Sequence, residues 1–549
     1  MIISTDFLNF KKLKSLVDWK LLLFLVLFLN VKLVVKVPAI IIIYLLQFNF
    51  KFGFSLKNSR LPLFYLLVIS IAVFNWLISR DHWNVNYGLV LLTGIGFWSL
   101  CILAMHQVKL SVERDDTEII HRTIVAFFVL NAVLSLFNLA AIIIETGSFN
   151  PYTYQGLYQK YFIGTGDYIR GLTFDTSTTN AVLNAFGVIY FLTKKNMPML
   201  FICMAVMLFT GSNYIDMVLL LILLGLFIFK SSRDQKSQIV ICVMFLVVFM
   251  GKISPQNSIY VNETFKNTFH LKFLQRPVPY ELKTPITLTP DSLLSPEQRR
   301  EKVAYRYLDS FYVITHPKIL PASKTVLKTD AGRIYIPEPR INTKPFQHIA
   351  DTTPYQRHLL AFISTHKASL PLSAKNDYPS TVPGKAIGFM QTVNFLRQHP
   401  AKIMTGDGTG NFSSKLAFRA SGFGDAGGYP KKYAYFSPDF ISNHLDIYLD
   451  FFSKKTDFHS LTNNPDSVYD QLLAEYGILG LLAFLVYYLG YFLKHYKLLT
   501  YGLPILLVLL AIFCTEYWFE QLSIVLFFEL LLLLNIKESS TQKIGSYAS

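Results

Sequence analysis

The chain has 549 residues, 52% of them hydrophobic, and a formal net charge of +16. Apolar runs recur between short basic patches, which excludes a single large soluble core and points to a chain crossing a bilayer many times. Such a positive charge would point to nucleic acid in a soluble protein, but here lysines flank the apolar runs as the positive-inside rule requires, so no nucleic-acid partner is expected.

The chain opens with MIISTDFLNFKKLKSLVDWKLLLFLVLFL, a basic head and an apolar run with no small-residue cleavage site after it. It reads as a retained first helix. Apolar segments then fall near 19–30, 37–48, 61–79, 87–106, 123–144, 179–192, 197–210, 216–229 and 238–250, and again near 468–492, 501–515 and 522–534. The expected fold is an all-α polytopic membrane protein with about twelve transmembrane helices, several shorter than the roughly 20 residues a straight span needs. Three parts follow: a bundle of about nine helices over 1–250, a large, mostly helical extracytoplasmic loop domain over 251–467, and about three helices with a tail over 468–549.

Charge sets the orientation. With both termini inside, the cytoplasmic side collects Lys11, Lys12 and Lys14, the connections 51–60, 107–122 and 230–236, Lys194 with Lys195, 494–497 and the tail. Lys32 and Lys36, in the first outside turn, are the exception. The segments 145–178 and 251–467 then face one extracytoplasmic compartment. In the longer one, 27 Lys and Arg stand against 17 Asp and Glu; a solvated basic face or an anionic ligand or lipid surface accounts for that excess. Helices are predicted there over 296–310, 354–364 and 383–398. Cys101, Cys203, Cys242 and Cys514 all lie in apolar runs, so no disulfide is expected to staple the loop domain.

Several residues have the chemistry to bind or react. Arg170, in KYFIGTGDYIRGLTFDTSTTN, can grip a diphosphate two-prongedly with Lys160 assisting, or can serve as an interfacial anchor. Ser212 and Asn213 open an apolar helix in TGSNYIDMVLL, where free amides and the helix dipole favour an anion and an ordinary N-cap is the plainer reading. GDGTGNF, 406–412, has the glycines of a phosphate loop but neither its Lys-Ser/Thr pair nor a preceding strand, so it reads as a glycine-rich turn. Lys385 is the better cation there. At the junction, Asn464, Pro465 and Asp466 spell a helix start whose positive end can hold an anion, with His459 and Asp466 as possible proton acceptors. Glu475 is an acid inside an apolar helix, which needs a function or a partner. Gly477 and Gly480 read as close-packing positions.

Four stretches, RGLTFDTSTTNAVLNAFG, LFTGSNYIDMVLLLILLG, the PGK…QT…HPAKIMTGDGTGNF block and QLLAEYGILGLLAFL, in this order and topology, resemble the O-antigen ligase and O-antigen polymerase superfamily of bacterial membrane glycosyltransferases, over roughly 161–485. The resemblance implies a metal-independent, inverting transfer of glycan from an undecaprenyl diphosphate carrier to a glycan or lipid acceptor hydroxyl, at the periplasmic face of the inner membrane, with no cofactor. It also implies cationic groups on the departing diphosphate and a base at the foot of the long loop. Arg170 matches the family's first arginine. Asn213 stands where a second arginine is usual, and Asp466 stands nine positions before Glu475, where ligases place a histidine. Either Asp466 takes the base role, or His459 reaches the site by another loop path, or the chain is a polymerase relying on other groups. Lys160, Asn213, Lys385, Asn464 and Glu475 complete the expected substrate-binding set. The rivals are a metal-dependent lipid-linked glycosyltransferase, disfavoured because the turn 31–35 has no carboxylate, a lipid-linked oligosaccharide flippase or transporter, and a polysaccharide-binding envelope protein.

Overall fold

The computed structural model describes residues 16–30, 33–47, 61–79, 84–154, 165–173, 176–258 without 256, 384–420, 429–440 without 436, and 464–548 without 522, with a few shorter pieces between them. Apart from one two-residue antiparallel ladder, in which Thr329 pairs with Ile334 and Asp330 with Arg333, the regular structure among these residues is helical. In chain order the principal helices are α1 (Trp19–Asn30), α2 (Leu33–Gln47), α3 (Phe64–Ile78), α4 (Val85–Arg114), α5 (Thr117–Thr146), α6 (Ser177–Thr193), α7 (Met197–Phe209), α8 (Asn213–Phe229), α9 (Arg233–Val248), α10 (Gly384–Gln398), α11 (Lys415–Ala420), α12 (Val468–Ala483), α13 (Gly502–Ile512), α14 (Trp518–Gln521) and α15 (Ser523–Ala548). Each of the twelve apolar segments coincides with one of them. Four are long and apolar enough to cross a membrane: Val85–Arg114, Thr117–Thr146, Arg233–Ile253 and Val468–Leu493. Exposed Phe137 on α5 and Val247 on α9 are the kind of side chain that helices of such length and composition leave to lipid.

The helix ends follow local chemistry. Gly147, at φ 64°, closes α5 by donating its N–H to the Ile143 carbonyl. Thr176 caps α6 through the Thr179 amide, Asn196 caps α7 through the Met199 amide, and Ser232 with Gln235 forms a reciprocal capping box on α9. The helices predicted over 296–310 and 354–364 lie outside the described residues. The one predicted over 383–398 is α10, beginning at Gly384.

The chain forms two compact units. The first comprises Met1–Phe74, Leu92–Ile259 and Ile478–Ser549; the second comprises Asn75–Leu91 and Tyr260–Gly477. In the first, α6 and α7 approach closely enough that a Cβ on Gly187 would lie 2.7 Å from the Cys203 sulfur. Its core holds an aromatic cluster in which the Phe519 ring centroid lies 5.2 Å from Phe64, 5.4 Å from Trp98 and 5.4 Å from Tyr488. Tyr65 and Tyr488 both donate hydroxyl hydrogen bonds to the buried Glu529 carboxylate there. In the second unit, Phe395, Leu396, Phe412 and Ala474 form one core cluster, and Tyr87, Val90, Leu416, Ala420 and Tyr435 another. Residues 406–412 lie between these hydrophobic anchors.

Candidate functional site

In the first unit the segment carrying Arg170 is held by a set of asparagine amides, most of them buried. Asn138 Oδ1 accepts from the backbone N–H of Arg170 at 3.1 Å and of Gly171 at 2.9 Å, and Asn131 Oδ1 accepts from Leu172 N–H at 2.9 Å. Asn180 Nδ2 donates to the Ile169 carbonyl at 2.9 Å and to Ser135 Oγ at 3.1 Å, while Asn131 Nδ2 donates to Asn180 Oδ1 at 2.8 Å. Gly171, at φ 56°, is required here, because a Cβ would lie 2.6 Å from Ser135 Oγ as well as clash with Asn131. Asn131, Ser135 and Asn180 are fully buried, yet Arg170 itself is exposed. Its Nε donates to the Asp167 carbonyl at 3.4 Å and its guanidinium lies 5.9 Å from the centre of the Tyr168 ring. Among the described residues no ion pair engages it. Buried polar networks of this kind hold backbone in one arrangement, and what this one presents is a guanidinium available to an anion.

The same loop packs on the turn that precedes α8. A Cβ on Gly166 would strike the Thr210 carbonyl, Tyr152 donates its hydroxyl to the Phe209 carbonyl, and Ile142 and Ile169 pack with Tyr168 and Phe209. Arg170 and Asn213, 43 residues apart in the chain, are therefore carried by segments in direct contact. Lys160 lies outside the described residues.

The second unit gathers the junction residues. The Lys385 ammonium donates to Asn464 Oδ1 at 2.6 Å and to the Asp466 carbonyl at 2.5 Å, and Asn464 Nδ2 donates to Asp466 Oδ2 at 3.3 Å. Gly388, one turn beyond Lys385 on α10, packs against Pro465, and Ser413 Oγ donates to Asp470 Oδ2 at 2.7 Å. This changes the expected helix start: α12 begins at Val468, with Gln471 N–H bonding the Ser467 carbonyl, because the Asn464 oxygen that would have capped the helix is taken by Lys385. Asp466 stays partly exposed beside that lysine. His459 lies outside the described residues.

Glu475 is wholly buried, and its carboxylate accepts from Gly410 N–H at 2.8 Å and Phe412 N–H at 3.4 Å. The backbone of the same stretch is knitted to the loop too, with Asp407 N–H bonding the Ala474 carbonyl at 2.9 Å and Gly408 N–H the Glu475 carbonyl at 3.0 Å. The stretch is the glycine-rich turn expected from its composition, and its amides close around the chain's own Glu475 carboxyl group. Gly477, at φ 65° and ψ −164°, interrupts α12, and a Cβ there would lie 2.5 Å from the Met404 carbonyl.

Lys402 bridges the buried Asp407 and the partly exposed Asp439, the latter at 2.7 Å. Burial pushes the Asp407 carboxyl well above its ordinary range against the pull of Lys402. Burial lowers Lys402, but Asp407 and Asp439 outweigh it and raise the ammonium overall. We take the bridge as one cation shared by two carboxylates, the inner of which is the easier to protonate.

Sequence reading missed Asn131, Asn138 and Asn180. The available signal was their spacing: Asn131 and Asn138 lie seven apart in one apolar run, and Asn180 and Asn184 four apart in another, each pair on one helical face. Among the described residues no group of three His, Cys, Asp or Glu side chains is placed to hold a metal ion. No protein-family model, curated protein or solved structure matches this chain.

Proposed function

We propose that this protein is a glycosyltransferase of the O-antigen ligase or polymerase type, which transfers glycan from an undecaprenyl diphosphate carrier to an acceptor hydroxyl without a metal or cofactor. In this reading the chain crosses the bacterial inner membrane about twelve times, with cytoplasmic termini and residues 251–467 in the periplasm. The observation that carries it is the asparagine network: two buried asparagines, Asn131 and Asn180, and the partly buried Asn138 order the backbone at 169–172 while the Arg170 guanidinium stays exposed and outside any ion pair among the described residues. Arg170 binds the donor diphosphate, where a charge-assisted contact strengthens as the leaving group gains charge. Asp466, whose backbone is tied to Lys385 and whose carboxylate is met by Asn464, takes the acceptor proton.

Purified protein supplied with a lipid-linked donor tests this. Arg170→Ala should lower release of carrier diphosphate by about 10²–10³-fold, the usual loss for one transition-state donor. Arg170→Lys keeps the charge but not the planar fork and should fall between. Full activity in Arg170→Ala would end the proposal. A lipid-linked oligosaccharide transporter is the second reading, favoured by Asp216 and Glu529, two carboxyls buried within apolar helices. Movement of donor across proteoliposomes without diphosphate release would select it.

A further inference from the structure

The opening turn of α8 holds a concentration of oxygens with no bonding partner. Ser212 Oγ, Asn213 Oδ1 and both carboxyl oxygens of Asp216 are shielded from solvent and make no hydrogen bond in the structure. Asp216 is 4% exposed and Ser212 9%. Ser212 and Asn213 precede Asp216 by four and three residues, the two spacings that bring side chains together on a helix. Because a helical side chain leans toward the N-terminus, the Asp216 carboxyl overlies the turn those two residues open.

A buried carboxylate with no counter-charge is strongly disfavoured, and so is each buried oxygen without a donor. A proton on Asp216 neutralises the charge and serves at most one further acceptor. A cation serves every oxygen at once. The donors, one carboxylate, one carboxamide and one hydroxyl, are all hard oxygens, the set that suits an alkali or alkaline-earth ion. Net charge chooses between those classes: one carboxylate cancels a single positive charge, whereas a divalent ion leaves an excess positive charge buried beside the positive end of α8. Gly211, at φ 62°, bends the preceding turn sharply, and Asn257 Nδ2 lies 3.1 Å from the position a Cβ there would take.

We propose that Ser212, Asn213 and Asp216 form a binding site for a small dehydrated monovalent cation, Na⁺ being the best fit to hard oxygen donors that carry one carboxylate. The site stands beside the segment that carries Arg170 but does not depend on the transfer reaction, so its test uses no glycan. The thermal unfolding midpoint of the detergent-purified full chain is measured in NaCl, KCl and choline chloride at equal ionic strength, and bound Na⁺ is counted with radioactive ²²Na⁺. The expected result is a saturable rise of the midpoint in Na⁺ over choline, with one ²²Na⁺ retained per chain. Asp216→Asn should fold, since it removes only a charge, and should lose both the rise and the retained ion. Ser212→Ala should need a higher Na⁺ concentration for the same rise. Equal midpoints in the three salts, a midpoint that responds to pH alone, or an Asp216→Asn variant that still retains ²²Na⁺ would each overturn the proposal.

Discussion

Replacing Glu475 tests whether the glycine-rich turn is assembled around an internal anion. In the native protein one carboxylate oxygen accepts from Gly410 at 2.8 Å and the other from Phe412 at 3.4 Å. Hydrogen bonds to a charged acceptor contribute about 1.5–3 kcal/mol each, the shorter one toward the top of that range. Glu475→Ala removes both and strands two buried amides, so the expected loss is about 3–5 kcal/mol. Glu475→Gln keeps one oxygen for Gly410 and turns an NH₂ group toward the weaker Phe412 amide, with an expected loss of about 1–2 kcal/mol. Unfolding of detergent-purified protein, followed by tryptophan fluorescence and by protease cleavage within 406–412, reads the difference. At about 2–4 °C per kcal/mol, the alanine variant should melt roughly 6–20 °C lower. An alanine variant within about 1 °C of the parent, or a glutamine variant worse than alanine, would refute the reasoning.

Lys402→Met should destabilise by about 3–5 kcal/mol near neutral pH by stranding Asp407. The folded Asp407 carboxyl titrates above its unfolded value of 3.8, so the folded state binds more protons between the two, and stability falls as pH rises through that window. Removing the lysine steepens this fall; the gap to the parent should therefore narrow toward pH 4, and a gap constant with pH refutes it. Asn131→Leu should leave Leu172 N–H unpaired, cost about 1–3 kcal/mol, and lower transfer as Arg170→Ala does, without touching any exposed group; unchanged transfer would disconnect the network from function. Gly477→Ala should cost more than about 2 kcal/mol, from left-handed strain plus a clash with the Met404 carbonyl, measured by the same unfolding assay.

Hydrophobic patterning located the helices because uninterrupted apolar runs bounded by polar and basic residues leave few alternatives, and α10 was legible from Pro383 onward. Lys385, Asn464 and Asp466 were singled out separately by residue type, and the structure brings them together. The exact start of α12 was not legible: whether Asn464 caps the helix depends on a lysine 79 residues away, a competition that no local rule contains. Glu475 was recognised as an acid needing a partner. That the partner would be amides of a loop 63–65 residues earlier is tertiary information. The asparagine network escaped for the same reason: Asn131 and Asn180 sit in runs whose apolar neighbours dominate the pattern, and only the packing of α5 against the Arg170 segment and α6 reveals what they hold.

The order of synthesis gives the internal anion one more consequence. Gly410 leaves the ribosome 65 residues ahead of the carboxyl group that accepts its N–H, so the turn is translated in a form that cannot yet close. Its neighbours must wait for the first turns of the next apolar helix to be made. A nascent chain arrested before residue 475 should therefore expose 406–412 to protease, and release of the following ten or so residues should seal it, which links maturation of this unit to the arrival of the helix that comes after it.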